Sequence, residues 1–367
     1  MKILTLVFTY NTSLEDWVKN GSIDRELDIY KILLTYFDRI YFITYGKDDA
    51  KFQDKLPSSI IILPKKYNLN NLFYSLIIPL TYKKQLKKTS FVKTNQMIGS
   101  WTAILIKILF NKKLILRTGY TESLFFIGKN IVIKKIIGLL EYTSYKFSNI
   151  SIVTTMEQKK YLQKKYAITS MNIIPNGINT KIFSYAKNTT SIDDTLRLFF
   201  VGRLHPEKNI INLVKALKGL KNIKLIIVGT GLLKQNILKL RKKYNLTIKI
   251  IDKIPNSQLP KFYNNADIYI QPSIYEGNPK TILEAMSCGL PVIATDVKGI
   301  NNVITHKENG YLCDTSSKSI RNAIIKLRED STLQEKIRQN ARKYIVQNYN
   351  LKKIIEKEIN LYKLNEK

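Results

Sequence analysis

The chain has 367 residues, 44% of them hydrophobic, 10% aromatic and 24% charged, proportions that exclude disorder throughout and suit two domains with sizeable cores. Its 60 basic and 28 acidic residues leave a net charge of +32, which reads either as a lysine-rich compositional bias or as a field that attracts nucleic acid or an anionic membrane surface. Two cysteines, Cys288 and Cys313, and two histidines, His205 and His306, are too few for a disulfide framework or a Cys-rich zinc site.

In chain order, the opening MKILTLVFTYNT carries one lysine, a short apolar run and no small-residue cleavage site. It reads as a buried first strand, Ile3–Thr9, rather than a signal peptide, with a reducing cytoplasm as the compartment. Strands follow at Ile40–Thr44, Ile60–Leu63, Phe91–Thr94, Leu114–Arg117, Ile150–Thr154 and Asn172–Ile174, with helices between them such as Ile23–Phe37 and Thr102–Phe110. Charge is uneven along this half: residues 1–50 hold six basic and eight acidic residues, whereas residues 51–150 hold 17 basic ones against Asp54, Glu122 and Glu141. The apolar stretch Leu72–Tyr82 is too short to span a bilayer and is followed by Lys83, Lys84, Lys87 and Lys88. A second apolar stretch, Ile131–Tyr145, carries Lys134 and Lys135. Such segments fit either domain helices with apolar faces in the core or an interface with anionic lipid. The concentration of cations favours the lipid.

The polar run Lys187–Thr195 has no periodicity and reads as a linker. It separates a domain at 1–180 from a second at 190–345, with a tail helix, 346–367, expected to pack back on the first domain. Strands in the second domain are expected at Leu198–Val201, Lys224–Val228, Ile248–Ile251, Ile268–Gln271 and Val292–Ala294. Strands alternating with helices make parallel sheets, and continuous apolar runs such as LFFV suit strands covered on both faces. The expected fold class is therefore α/β, two doubly wound Rossmann-like domains facing across a cleft. Ligands in such sheets bind beyond the carboxyl ends of the strands.

Three stretches of the second domain stand at such ends. Gly202-Arg203-Leu204-His205-Pro206-Glu207-Lys208 follows the first strand; the glycine allows a sharp turn, and Arg203 and Lys208 can grip a phosphate. Val228-Gly229-Thr230-Gly231 ends the next strand, where close backbone approach is easy. Glu276-Gly277-Asn278-Pro279-Lys280-Thr281-Ile282-Leu283-Glu284 follows a third. Pro279 suits a first helical turn, so Glu276 sits in the loop and Glu284 about a turn and a half into the helix. The N–H groups at that helix start form an anion site. A further stretch, NIIPNGINTKIF from Asn172 to Phe183, holds a Pro-Asn-Gly turn.

Together these stretches resemble the retaining family 4 glycosyltransferases of GT-B fold, through the E-x7-E segment, the glycine-arginine loop with its downstream lysine, and the IPNG turn. The resemblance covers residues 150–315 firmly and the first half more loosely. It implies a transferase moving a sugar from a nucleotide-sugar to a glycan or lipid-linked acceptor, as in bacterial surface-polysaccharide synthesis. Arg203 and Lys208 would hold the donor diphosphate, Glu284 the ribose hydroxyls, and Glu276 the sugar near the reacting carbon. Gly21 would approach the donor phosphates from the first domain, and Asn95, Gln96, Arg117 and Tyr120 would line the acceptor side. Many relatives place a histidine in the first domain, but both histidines here lie beyond residue 200, which leaves a first-domain catalytic residue unassigned. The resemblance implies retention without a metal, and no D-x-D stands at a strand end. No cofactor is expected beyond the donor, a UDP-sugar in the first instance, its base read by backbone around Ile254-Pro255. The alternatives are a nucleotide-sugar epimerase or glycan phosphorylase of the same architecture, a basic nucleic-acid-binding protein, for which no module is found, and a non-catalytic scaffold. Expected partners are the donor, the acceptor and an anionic membrane, with the protein cytoplasmic and peripheral at the inner face.

Overall fold

The computed structural model describes residues 1–119, 121, 131–168, 170–186 and 194–366. Tyr120 and all of the expected linker but Asp194 and Thr195 lie outside the described residues. The chain divides into two compact units, Met1–Asn176 with Ile354–Lys367, and Gly177–Lys353. The first unit thus ends just before the expected boundary, for a local reason. Ile178 and Phe183 are buried in the second unit's core, and Ile178 is held there by Tyr349 O, 2.8 Å from its N–H, and by the Leu351 N–H, 2.9 Å from its carbonyl.

The first unit is built on seven parallel strands: β1 (Ile3–Val7), β2 (Arg39–Ile43), β3 (Ile60–Leu63), β4 (Phe91–Thr94), β5 (Lys113–Thr118), β6 (Ile150–Val153) and β7 (Asn172–Ile173). Their order is β3-β2-β1-β4-β5-β6-β7, so the winding reverses between β1 and β4, which pair Leu4 with Phe91. All five β1 residues are buried, as expected of an apolar strand inside a parallel sheet. The helix expected at Ile23–Phe37 stops at Leu33, where the Phe37 N–H reaches Leu33 O and closes a turn. The final helix, Leu351–Leu364, sets the Tyr362 ring 5.4 Å from Phe37 and 5.5 Å from Phe91.

The second unit has six parallel strands: β8 (Leu196–Val201), β9 (Ile223–Val228), β10 (Thr247–Ile251), β11 (Ile268–Gln271), β12 (Val292–Thr295) and β13 (Tyr311–Cys313), in the order β10-β9-β8-β11-β12-β13. Alternation along β8 sends Leu198 and Phe200 to one core cluster and Phe199 to the other, because successive side chains point to opposite faces. Strand β13 is absent from the sequence reading. It is a three-residue, half-buried edge strand, too short to show a period. Among the described residues, no helix is long and apolar enough to cross a membrane.

Candidate functional site

The three stretches singled out in the second unit come together at the carboxyl ends of β8, β9 and β11. Gly202 and Gly229 are responsible for the first contact. The Gly202 N–H donates to Val228 O at 3.0 Å and the Leu204 N–H to Thr230 O at 2.8 Å. Gly229 has φ +154°, and a Cβ there would stand 1.9 Å from the Gly202 carbonyl oxygen, so only glycine permits the approach. The second contact is the Ile274 N–H donating to Glu207 O at 2.9 Å, which ties the loop after β8 to the loop after β11.

The loop after β8 closes with the single turn Pro206–Lys208, and that turn aims Lys208 inward. Lys208 Nζ lies 2.5 Å from Glu276 Oε1, with side chains only 17% and 11% exposed. Arg203 points the other way. Its side chain is 73% exposed and meets Glu207 Oε1 at 3.3 Å. The two cations expected to converge on one phosphate therefore have different partners, Lys208 with Glu276 and Arg203 with Glu207.

Glu276 Oε1 gathers three donors: Lys208 Nζ, Ser273 Oγ at 2.7 Å and Gln271 Nε2 at 2.8 Å. Gln271 ends β11, and its own Oε1 accepts from Tyr269 OH at 2.5 Å and Thr281 Oγ1 at 3.3 Å, which fixes the amide's orientation. Hydrogen bonds to an ionised carboxylate are the strong kind. Among the described residues none donates to Glu276 Oε2. A carboxylate pinned through one oxygen can accept from a ligand hydroxyl, or face developing positive charge, through the other.

Beside it, a Cβ on Gly277 would meet nothing within 4 Å, so packing does not demand a glycine there. Asn278 Oδ1 is buried without a hydrogen-bond partner. Pro279 occupies the N-cap position of the helix Lys280–Ser287 but makes no side-chain cap bond, and the helix directs its dipole at this corner. Glu284 is 1% exposed; its Oε2 accepts from Tyr263 OH at 3.0 Å and its Oε1 from Asn256 Nδ2 at 3.3 Å. Burial, and then the Glu284 charge, push the Tyr263 hydroxyl well above its usual pKa, so it remains a donor. Ile254 lies in the loop between β10 and Asn256, packed on the same core cluster.

Sequence reasoning passed over Gln271, Ser273, Asn256, Tyr263 and Gly299. The first two carry a signal, polar residues ending the apolar strand of IYIQPSIYEG. Gly299 has φ +87°, and a Cβ there would sit 2.2 Å from the Glu276 carbonyl oxygen, so the loop after β12 braces Glu276 from behind. Asn256 and Tyr263 lie on separate elements and reach Glu284 only through the fold.

The first-unit candidates occupy other surroundings. Gly21, at φ +61°, turns the chain between the helices Leu14–Lys19 and Ile23–Leu33. Asn95 follows β4 and donates to Tyr30 OH at 2.6 Å, while Gln96 Oε1 accepts from the Gly119 N–H at 3.4 Å. Arg117 is 12% exposed and 3.6 Å from Glu358 Oε2; its guanidinium also donates to Ile174 O, Pro175 O and Asn176 Oδ1 at 3.4–3.5 Å. Arg117 thus braces the chain around the Pro-Asn-Gly turn instead of facing solvent.

Residues 183–344 match the family model described as Glycosyl transferases group 1. Over 249 residues the chain is 28% identical to the UDP-Gal:alpha-D-GlcNAc-diphosphoundecaprenol alpha-1,3-galactosyltransferase of Escherichia coli, covering 63% of this chain and 64% of that protein. The chain spans between half and two thirds of the length of the curated relatives it matches first. Its fold is similar to sucrose-phosphate synthase from Thermosynechococcus elongatus, with TM-score 0.80, 19% identity and 99% of both chains covered. It is likewise similar to Anabaena HepE in complex with UDP, with TM-score 0.76, 17% identity, and 99% and 100% coverage. These likenesses establish the fold as GT-B, with two Rossmann-like domains.

Proposed function

We propose that this protein, whose second unit carries a group 1 glycosyl transferase domain, is a retaining, metal-independent family 4 glycosyltransferase. It moves a sugar from a nucleotide-sugar to a hydroxyl of a glycan or lipid-linked acceptor in bacterial surface-polysaccharide synthesis. The observation that carries this reading is the Glu276 carboxylate, held through Oε1 by Lys208, Ser273 and Gln271 next to the open Gly277 corner and an uncapped helix start.

Lys208, the helix N–H groups and Arg203 stabilise the departing diphosphate. Among the described residues Arg203 meets Glu207 at the surface, a contact of little energy, so it can turn to the phosphate. Glu276 contacts the sugar near the reacting carbon. The bond from the anomeric carbon to the phosphate oxygen breaks, the oxygen leaving with the electron pair. The acceptor hydroxyl attacks on the same face and gives its proton to that oxygen. Donors fixed in advance around developing charge are worth roughly 3–4 kcal/mol each in comparable oxyanion sites. A UDP-sugar is favoured by the names of the Escherichia coli relative and the HepE complex. The former also names a diphosphoundecaprenol-linked substrate, which favours a peripheral enzyme at the cytoplasmic face of the membrane.

The test is a screen of UDP-, GDP- and ADP-sugars for acceptor-dependent release of nucleotide, with and without EDTA, followed by NMR of the product's anomeric configuration. The expected result is release from one donor class, unaffected by EDTA, with the configuration retained. Sugar conversion by donor alone would make it an epimerase, and an inverted product would end the retaining assignment.

A further inference from the structure

Three helices of the first unit, Asn71–Thr81, Ser100–Phe110 and Ile131–Phe147, stand side by side. Trp101 Nε1 donates to Ser75 Oγ at 2.8 Å, and Ser100 Oγ lies 2.6 Å from Ser144 Oγ. Each helix already buries an inner face, through Tyr74 and Ile78, Ala103 and Ile106, and Ile137 and Tyr145. The outer faces are apolar as well. Phe73, Leu80, Ile108, Ile136 and Leu139 are between 59% and 68% exposed, and Leu76 is 49% exposed. Isolated apolar residues at a surface need no explanation, but their concentration on neighbouring helices marks an interaction surface.

The charges around it narrow the partner. Lys83, Lys84, Lys87, Lys88, Lys134 and Lys135 are all exposed. Among the described residues from Lys55 to Met156 the sole acidic side chain is Glu141, which is buried. The sole arginine in that stretch, Arg117, is turned inward. Protein interfaces favour Tyr, Trp and Arg over Lys, whereas aliphatic faces with a lysine rim lie well in the headgroup region of acidic lipid. We infer that this three-helix face is a docking surface for an anionic bilayer, its outer Leu, Ile and Phe side chains entering the headgroup–acyl boundary while the lysines meet lipid phosphates. The helix Ser100–Phe110, expected at Thr102–Phe110 but not among the stretches read as lipid-facing, joins the face through Ile108. The inference deepens the proposed function, since it says where a lipid-linked acceptor would be met, but its test needs no transfer.

The full chain is co-sedimented with phosphatidylcholine vesicles, neutral or containing about 30% phosphatidylglycerol. Anionic vesicles should bind at least about tenfold better, and most of that gain should vanish between about 0.05 and 0.5 M salt. Replacing Lys83, Lys84, Lys87 and Lys88 with Gln should weaken binding about tenfold or more. The pair Leu76→Glu and Leu80→Glu should do the same, with circular dichroism and nucleotide-sugar binding unchanged in both variants. Equal binding to neutral and anionic vesicles, or wild-type binding by both variants, would overturn the inference. So would a stable wild-type dimer in sedimentation velocity that both variants dissociate, which would assign the face to a protein partner. Vesicle binding that persists without any sugar transfer would refute the proposed function and leave the surface intact.

Discussion

Lys208 with Glu276 in the second unit and Lys93 with Glu358 in the first are the same chemical pair in two settings. Lys208 and Glu276 keep 17% and 11% of their side chains exposed, at a strand end beside an open corner. Lys93 and Glu358 are 1% and 0% exposed. Lys93 Nζ and Tyr362 OH both donate to Glu358 Oε1, with Arg117 at 3.6 Å from the other oxygen. The first pair can exchange partners with a ligand at modest cost. The second cannot, because separating two desolvated charges strands the Lys93 ammonium in a medium of low dielectric. Burial rather than residue type separates the carboxylate proposed to act from the structural one, and the buried pair holds the last helix onto β4.

The largest expected effect lies in the first unit. Glu358→Ala should cost about 3–5 kcal/mol in chemical denaturation by stranding Lys93, and the double variant Lys93→Met with Glu358→Leu should recover much of it. If the single variant costs under about 1 kcal/mol, the contrast with Glu276 collapses. Glu276→Gln should reverse the pattern. Turnover should fall about 10²–10³-fold and more than donor affinity, as for an interaction made in the transition state, while stability changes by less than about 1 kcal/mol. Lys208→Ala and Arg203→Ala should each weaken donor binding by about 1.5–3 kcal/mol, read by calorimetry. Unchanged binding in both would remove them from the site.

A pH titration sharpens the comparison further. Burial alone would raise the Glu358 pKa, but the Lys93 and Arg117 charges override it and hold the carboxyl below 4.5. Below 4.5 the unfolded chain takes up its proton first, so the Glu358 contribution is full above that pH and is lost as pH falls toward the folded value. Glu358→Gln should therefore flatten the acid side of the stability curve. The smallest effect is expected from Gly277→Ala: less than about 0.5 kcal/mol on stability, because its Cβ would meet nothing. A loss of donor affinity in that variant would show that the open corner serves a ligand.

Much of the second unit's site was legible along the chain because its parts are local. Glu276 through Glu284 run consecutively off the end of β11, and Gly202 follows β8 directly. Helix and strand periods, and the rule that ligands sit beyond carboxyl ends, suffice to put them at one edge. The exposed faces of Asn71–Thr81 and Ile131–Phe147 were foreshadowed by apolar runs beside lysine clusters. The apolar stretch of Ser100–Phe110 offers no clue that Ile108 faces outward while Ile106 is buried. That partition depends on which side of the helix the sheet covers.

By itself, then, the sequence determined the alternation of strands and helices, the two Rossmann-like domains and the residues that follow β8, β9 and β11, since all of these follow from patterning within about 20 residues. Only the tertiary structure decided which charges meet. Lys208 finds Glu276 across 68 residues, and Lys93 finds Glu358 across 265. Arg203 turns to solvent although it lies five residues from Lys208, and Glu284 is sealed by Asn256 and Tyr263. Such pairings depend on the packing of distant elements and on the water it excludes, and neither is written in the spacing of residues along one strand or helix.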